Sequence, residues 1–240
     1  MQITANILGH GDTAIKPMAH LDRAAFLARY RRLREIGKQH HCAMLNFTSQ
    51  SAIMAQARRL SLVARKTLVL NEIDEMNLVF DLLFYTAPKD RLRTIDRYAR
   101  SVQSKLNTDE ALVLEAMRRD YFSIITPTRR HDIAGLVVED LFRGCEYWLV
   151  DEGFEKSFQE KTMLATRLFS LEGFTMTAGS GVLLDVDLIN QVLADTPFLR
   201  RKKPNDAIND RRFAEAIYRA AIETGATENI TFQDIPVEVR

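Results

Sequence analysis

The sequence predicts an α+β fold: an N-terminal helical domain, a five-stranded antiparallel barrel-like sheet, and C-terminal helices that pack back on the helical domain. Three observations carry this. From about Leu21 to Arg119 apolar residues recur at three- and four-residue steps, the period of an amphipathic helix. At Tyr121 the pattern changes to short runs rich in β-branched and aromatic residues, separated by Gly, Pro or charged clusters. After Asp185 the helical period returns. The expected boundaries are 1–119 for the helical domain, 120–184 for the small β-barrel-like module, and 185–240 for the C-terminal helices and tail.

In "HLDRAAFLARYRRLREIG" Phe26, Tyr30 and Leu33 make an apolar stripe. Asp22 is the expected N-cap and Gly37 the expected C-terminal stop. "HHC" (His40–Cys42) then reads as a turn between helices, with Cys42 buried. A second helix is expected over Ser49–Leu60 and a third over Glu72–Tyr85. The third starts at "NEID", where Asn71 caps and Asp74 answers it, and it ends at Ala87-Pro88. A fourth, Asp90–Val102, puts Leu92, Ile95, Ala99 and Val102 on one side. In "LNTDEALVLEAMRR" Asn107 caps a fifth with Glu110 as its partner, and Arg118 and Arg119 complement the dipole at its end.

The strands are expected in "YFSIITPT", "AGLVVEDL", "CEYWLVDEG", "TMLATRLFSL" and "GFTMTAGSGVLL". That spacing suggests a meander curling into a small barrel, with hairpins at Phe142–Gly144 and Leu171–Gly173. In the third strand Cys145, Tyr147 and Leu149 share one face, and Trp148 and Val150 the other. Apolar side chains on both faces imply cover on both sides, by the barrel interior and by a helix. Cys145 is therefore expected to be a buried, slow-reacting thiol. "DVDLINQVLAD" gives a helix capped by Asp185 or Asp187, and "TPFLRRKKPND" a connector. "DAINDRRFAEAIYRAAIETG" gives one last helix with Phe213, Ile217 and Ala220 or Ala221 inward and Gly225 as its stop.

The segment from Asp140 to Gly179 resembles a β-module of an uncharacterised bacterial protein family. The elements that carry the resemblance are Asp140-Leu141-Phe142-Arg143-Gly144, Val150-Asp151-Glu152-Gly153, Ala165-Thr166-Arg167-Leu168 and Gly173-Phe174-Thr175-Met176-Thr177-Ala178-Gly179. "KTLVLNEIDEMNLVFDLLFY" (Lys66–Tyr85) is similar to the helical part of such proteins. The resemblance covers about half of the chain and implies a fold, a helical N-terminal region with a small barrel. It implies no activity. Some relatives join the module to a short cysteine-rich metal motif; this sequence has none, so that site does not carry over.

Composition narrows the function classes. Of 240 residues 46% are hydrophobic and 27% charged, which suits a globular core. Thirty-three basic against 32 acidic residues give a net charge of +1, so no global field favours nucleic acid or an anionic membrane. Cys42 and Cys145 lie far apart, which predicts neither a metal motif nor a disulfide scaffold and fits a reducing compartment. "MQITANILGHG" lacks the pattern of a secretory signal, and "LVFDLLFY" (Leu78–Tyr85), broken by Asp81, is too short to span a bilayer. The expectation is a soluble cytoplasmic protein without a membrane partner.

No chemistry-bearing motif stands out. His40, His41 and Cys42 are adjacent, so their side chains diverge by about 100° per residue on a helix, and a third ligand would have to come from His10, His20 or His131. "AGSG" (Ala178–Gly181) lacks the Lys-Ser/Thr of a phosphate loop. Glu72, Asp74, Glu75 and Asp81 read as a solvated helix start, and Arg29, Arg31 and Arg32 as a wet helix face. The expectation is therefore no catalytic residue, no metal and no cofactor. The leading reading is a non-enzymatic binding or scaffold module, its contact surface on the barrel or at the barrel–helix junction; the sequence does not identify the partner, and a protein is favoured over a nucleic acid. The alternative is a nucleic-acid-binding protein using Arg129, Arg130, Arg143, Arg167, Arg200, Arg201, Lys202 and Lys203. An enzyme would need a polar pocket with displaced pKa values between barrel and helices.

Overall fold

The structure, a computed structural model, describes residues 22–226 apart from 73, 103–105, 158–161 and 200. Arg200, His10 and His20 thus lie outside the described residues. The N-terminal helices are α1 (Arg23–Leu45), α2 (Gln50–Arg59), α3 (Asp74–Tyr85), α4 (Thr94–Val102) and α5 (Thr108–Arg118). A two-stranded hairpin, β1 (Val63–Ala64) and β2 (Thr67–Leu68), sits between α2 and α3. Its turn residues Arg65 and Lys66 both take positive φ. Among the described residues no helix is long and apolar enough to cross a membrane.

Local chemistry fixes most helix starts. The side chains of Asp22, Ser49, Asn107 and Asp185 each accept a backbone N–H three residues on. Asn107 and Glu110 form the expected capping box. At α3 the partner differs from the expected one: the Asn71 N–H donates to Glu75, and Asp74 instead accepts from Asn77. The fourth helix begins at Thr94 rather than Asp90, and Leu92, expected inside, is 45% exposed.

Gly37 does not stop α1, which runs on to Leu45. Gly37 is buried against α5, where an added Cβ would come within 3.9 Å of Val113, so it serves as an interhelical contact. The "HHC" segment is therefore helix rather than turn, and Cys42 is exposed rather than buried. His40 is buried, its ring nitrogens 2.8 Å from the Tyr98 hydroxyl and 3.0 Å from the Glu110 carbonyl.

The barrel comprises β3 (Tyr121–Arg130), β4 (Leu136–Asp140), β5 (Cys145–Leu149), β6 (Met163–Leu171) and β7 (Phe174–Leu184). It closes in the order β3-β4-β5-β7-β6. The sheet is mixed, which corrects the purely antiparallel expectation: β5 and β7 run parallel, paired at Leu149 and Thr175. Five is an odd number, so neighbours in a closed ring cannot all alternate in direction and at least one pair must be parallel. The short helix α6 (Glu152–Lys156) follows β5 in the crossover to β6. Both hairpin turns form as expected, with Gly144 at φ 63°, and Glu172 and Gly173 both at positive φ.

Ile125, Leu136, Val138, Leu149, Leu164 and Leu168 fill the barrel interior with Tyr147 packed against them. Trp148, on the opposite face of β5, stacks on Phe26 of α1, and Val150 just past the strand belongs to the same outer cluster. The two-sided cover of β5 thus forms as the alternation predicts. Cys145 does not follow: it lies at the strand's first position, at the barrel rim, and is exposed.

The "RYRRLR" face of α1 is not simply wet, because it lies along the barrel. Arg29 bridges Glu172 and Asp109, at 2.5 and 2.8 Å; Arg31 pairs with Glu152 at 2.7 Å; and Arg34 donates to the Thr177 carbonyl.

At the C-terminus are α7 (Val186–Asp195), α8 (Pro204–Ile208) and α9 (Arg211–Glu223). The single last helix expected is two, because the Asp210 side chain accepts from the Arg212 N–H and starts a new helix. Phe213, Ile217, Tyr218 and Ala221 pack with Leu78, Val79 and Leu82 of α3 and with Phe122 and Ile124 of β3.

Candidate functional site

The most polar part of the interior lies where α3, α5, β6 and α9 meet. Asp81 interrupts the apolar run of α3, and its carboxylate receives the Arg167 guanidinium in a two-pronged contact, Nε and Nη2 each at 2.9 Å. Arg167 was expected on a cationic surface, and Asp81 at a solvated helix start; both are buried instead. The pairing of β6 with β7 shifts register between Thr166 and Leu168, and Arg167 reaches outward across that irregularity to α3. Its Nη1 meets Asp120 at 2.5 Å, and Asp120 also takes Arg93 Nη1 at 2.6 Å. Arg93 further binds Asp96 and the Arg118 carbonyl. The Arg167 guanidinium lies 4.9 Å from the centre of the Tyr85 ring, and the Tyr218 hydroxyl donates to Asp81 at 3.3 Å.

These contacts fix the charges. Burial opposes the charge on Arg167, but Asp81 and Asp120 outweigh it and hold the guanidinium above its ordinary pKa. Burial, reinforced by the same two carboxylates, pushes the Tyr85 phenol well up, and burial with Asp81 does so for Tyr218. Burial also raises Asp120, against the pull of Arg167 and Arg93.

The network opens onto a cleft of about 180 Å³. Arg93, Asp120, Tyr121 and Arg167 line one part, and Asn209, Asp210 and Arg211 from the α8–α9 junction another. Arg211 is exposed and makes no ion pair with any described residue. The cleft adjoins a second polar cluster at the barrel's end. There Asp140, fully buried, accepts from Ser123 Oγ at 2.5 Å and pairs with Arg143 at 2.8 Å. Arg143 also donates to Asn209 at 2.9 Å, tying the turn after β4 to the cleft wall. Tyr147 reaches Asp140 at 3.3 Å and receives the Cys145 thiol at 3.1 Å. Although burial opposes it, the bonds from Ser123 and Arg143 hold Asp140 below the usual carboxylate range.

The basic residues named from the sequence do not converge. Arg143 is anchored beside the Phe122 carbonyl at the start of β3, whereas Arg129 lies seven residues further along. Arg143 is turned towards the cleft wall by Asp140 and Asn209, while Arg129 is directed to Glu146. Arg129 pairs with Glu146, and Arg130 lies 3.7 Å from Glu155. Lys202 pairs with Asp210 at 2.7 Å, while Arg201 and Lys203 are exposed. Among the described residues no group of three or more His, Cys, Asp or Glu side chains is placed to hold a metal ion.

Sequence reasoning overlooked Asp81, Arg93, Asp120, Asn209 and Arg211 as site residues. One signal was available, an acid at the centre of the most apolar run in the chain. Its partner, 86 residues away, leaves no local trace.

No curated protein and no solved structure matches the chain. The sequence model of a family of unknown function, DUF7986, matches residues 25–230, a span that takes in the helical region and the whole barrel. The chain therefore belongs to the DUF7986 family.

Proposed function

We propose that the chain is a non-enzymatic binding module whose ligand, a small molecule bearing an oxyanion, sits in the cleft between barrel and helices. One observation carries the reading: the ionic floor of the cleft is already paired, while Arg211 beside it has no ionic partner among the described residues. A guanidinium fork matches a carboxylate or phosphate. The lining residues Arg93, Arg167 and Arg211 exceed Asp120 and Asp210 by one positive charge. Tyr85, Tyr218 and Arg167 are all pushed up and keep their protons, while Asp120, the floor group moved towards neutral pH, is held by two arginines, which favours recognition over proton transfer. Two exposed thiols suit a reducing compartment, and with the family resemblance they support reading the module as a cytoplasmic bacterial protein.

Thermal unfolding in rising inorganic phosphate tests this. A ligand of the folded state adds about 2.7 kcal/mol at a hundred times its Kd. The wild type is expected to melt higher as phosphate rises, and Arg211→Glu to lose that response. No rise in the wild type, or an equal rise in the variant, contradicts the proposal.

The nucleic-acid reading keeps one support. Arg201 and Lys203 stay exposed in the connector that leads into α8. It predicts retention on heparin at low salt, reduced by Arg201→Ala with Lys203→Ala. No retention ends it.

A further inference from the structure

A second cavity lies apart from the polar cleft. It is a groove of about 540 Å³ between the α1–α2 junction and the α3–α4 loop. Phe47, Ala52, Leu83, Ala87, Pro88 and Leu92 supply apolar lining. Of the exposed large hydrophobic residues, Leu92 alone lines either of the two cavities. The polar lining comes from four hydroxyl residues, Thr48, Ser49, Thr86 and Thr94, and two guanidiniums, Arg91 and Arg97, and no Asp or Glu is among the lining residues. Arg97 is held in place, its Nη2 donating to the Phe47 carbonyl at 2.9 Å and to Thr94 Oγ1 at 3.1 Å. Arg91 is exposed and forms no ion pair with any described residue.

We propose that this groove binds an amphipathic monoanion: an apolar body the size of a fused ring or a short alkyl chain, carrying one carboxylate or sulfonate head. The argument is one of complementarity. The volume falls within the range of small-molecule sites, which are mostly apolar with a few placed polar groups. A neutral apolar ligand would cover the floor and leave Arg91 unused. A bare inorganic anion would engage Arg91 and leave the floor wet. A cation is repelled by both guanidiniums. A ligand with an apolar body and an anionic head engages both the apolar floor and the guanidiniums, with the Ser49 and Thr94 hydroxyls able to donate to the head. The inference is independent of the oxyanion cleft, although Thr86 lines both cavities. The groove is rich in apolar side chains and has no acidic residue, whereas the cleft has two.

The probe is 8-anilinonaphthalene-1-sulfonate added to the folded full chain, its fluorescence read at saturation. The expected result is a saturable rise displaced by octanoate but not by acetate or by octylammonium at the same concentration. Arg91→Glu and Leu92→Asp replace exposed side chains, so both variants keep the wild-type melting temperature; each is expected to weaken probe binding at least fivefold. Arg211→Glu leaves probe binding unchanged while removing the phosphate response, so the groove and the cleft fail separately. The inference is overturned if the native protein does not bind the probe, if octylammonium displaces it as well as octanoate does, or if both groove variants bind it as the wild type does.

Discussion

His41 shows how a single residue sets a condition on the fold. Its ring stacks 5.9 Å from Phe84, and its Nε2 lies 2.6 Å from the Tyr85 hydroxyl. Burial, together with Arg34 and His40, lowers its pKa from 6.5 to about 4. The folded state therefore binds the proton later than the unfolded chain does. Stability is lost as pH falls from about 6.5 towards 4, by about 2 kcal/mol for this residue. His41→Gln should flatten that part of the pH profile in urea titrations; an unchanged slope contradicts the assignment. Asp81 and Arg167 carry a larger effect. Removing one partner leaves a buried charge uncompensated, so Asp81→Ala should lower stability by about 3–5 kcal/mol. A loss below 1 kcal/mol in denaturant unfolding would show that the pair is not buried as described. Cys145 reverses the expectation drawn from its strand. Position along β5 matters as much as face, and at the rim its thiol should label rapidly with a thiol reagent in the native state.

At the level of elements, much was legible from short-range chemistry. Asp22, Ser49, Asn107 and Asp185 announce helix starts because a cap needs only a side chain and an amide three residues away. What local pattern does not reveal is how elements meet. Gly37 reads as a stop, yet it is buried within α1 on the side that faces Val113 of α5. The parallel β5–β7 seam follows from closing five strands, a global condition that no single strand displays. That seam has the sparsest pairing of the barrel, and α1 lies across it. Phe26 stacks on Trp148 at 4.9 Å and meets Phe174 edge-on at 5.3 Å. Phe26→Ala should thus cost about 3–5 kcal/mol. It should also raise hydrogen exchange at Val150, whose N–H bonds to Thr175 across the seam. Gly135 is fixed by the same junction: at φ +74° an added Cβ would sit 2.2 Å from the Leu149 carbonyl oxygen. Gly135→Ala should destabilise the barrel more than Gly144→Ala, which meets nothing within 4 Å.

At the scale of the whole molecule, the candidate site exists only because separate regions converge. Asp81 comes from α3, Asp120 from the α5–β3 junction, Arg167 from β6 and Arg211 from α9. The sequence shows the helical and barrel regions in order but not this convergence, because ion pairs 47 and 86 residues apart have no periodic signature. The same pairs join helices to barrel, so the regions should unfold in one transition, with Trp148 fluorescence and far-UV circular dichroism giving coincident curves. The central claim is that the cleft at this junction binds an oxyanion through Arg211. The most direct measurement is a titration of the ¹⁵N-labelled chain with inorganic phosphate, followed by ¹H–¹⁵N correlation spectra. The account predicts saturable shifts centred on Asn209, Asp210, Arg211 and Tyr121, absent in Arg211→Glu. Shifts centred elsewhere, or none, would contradict it.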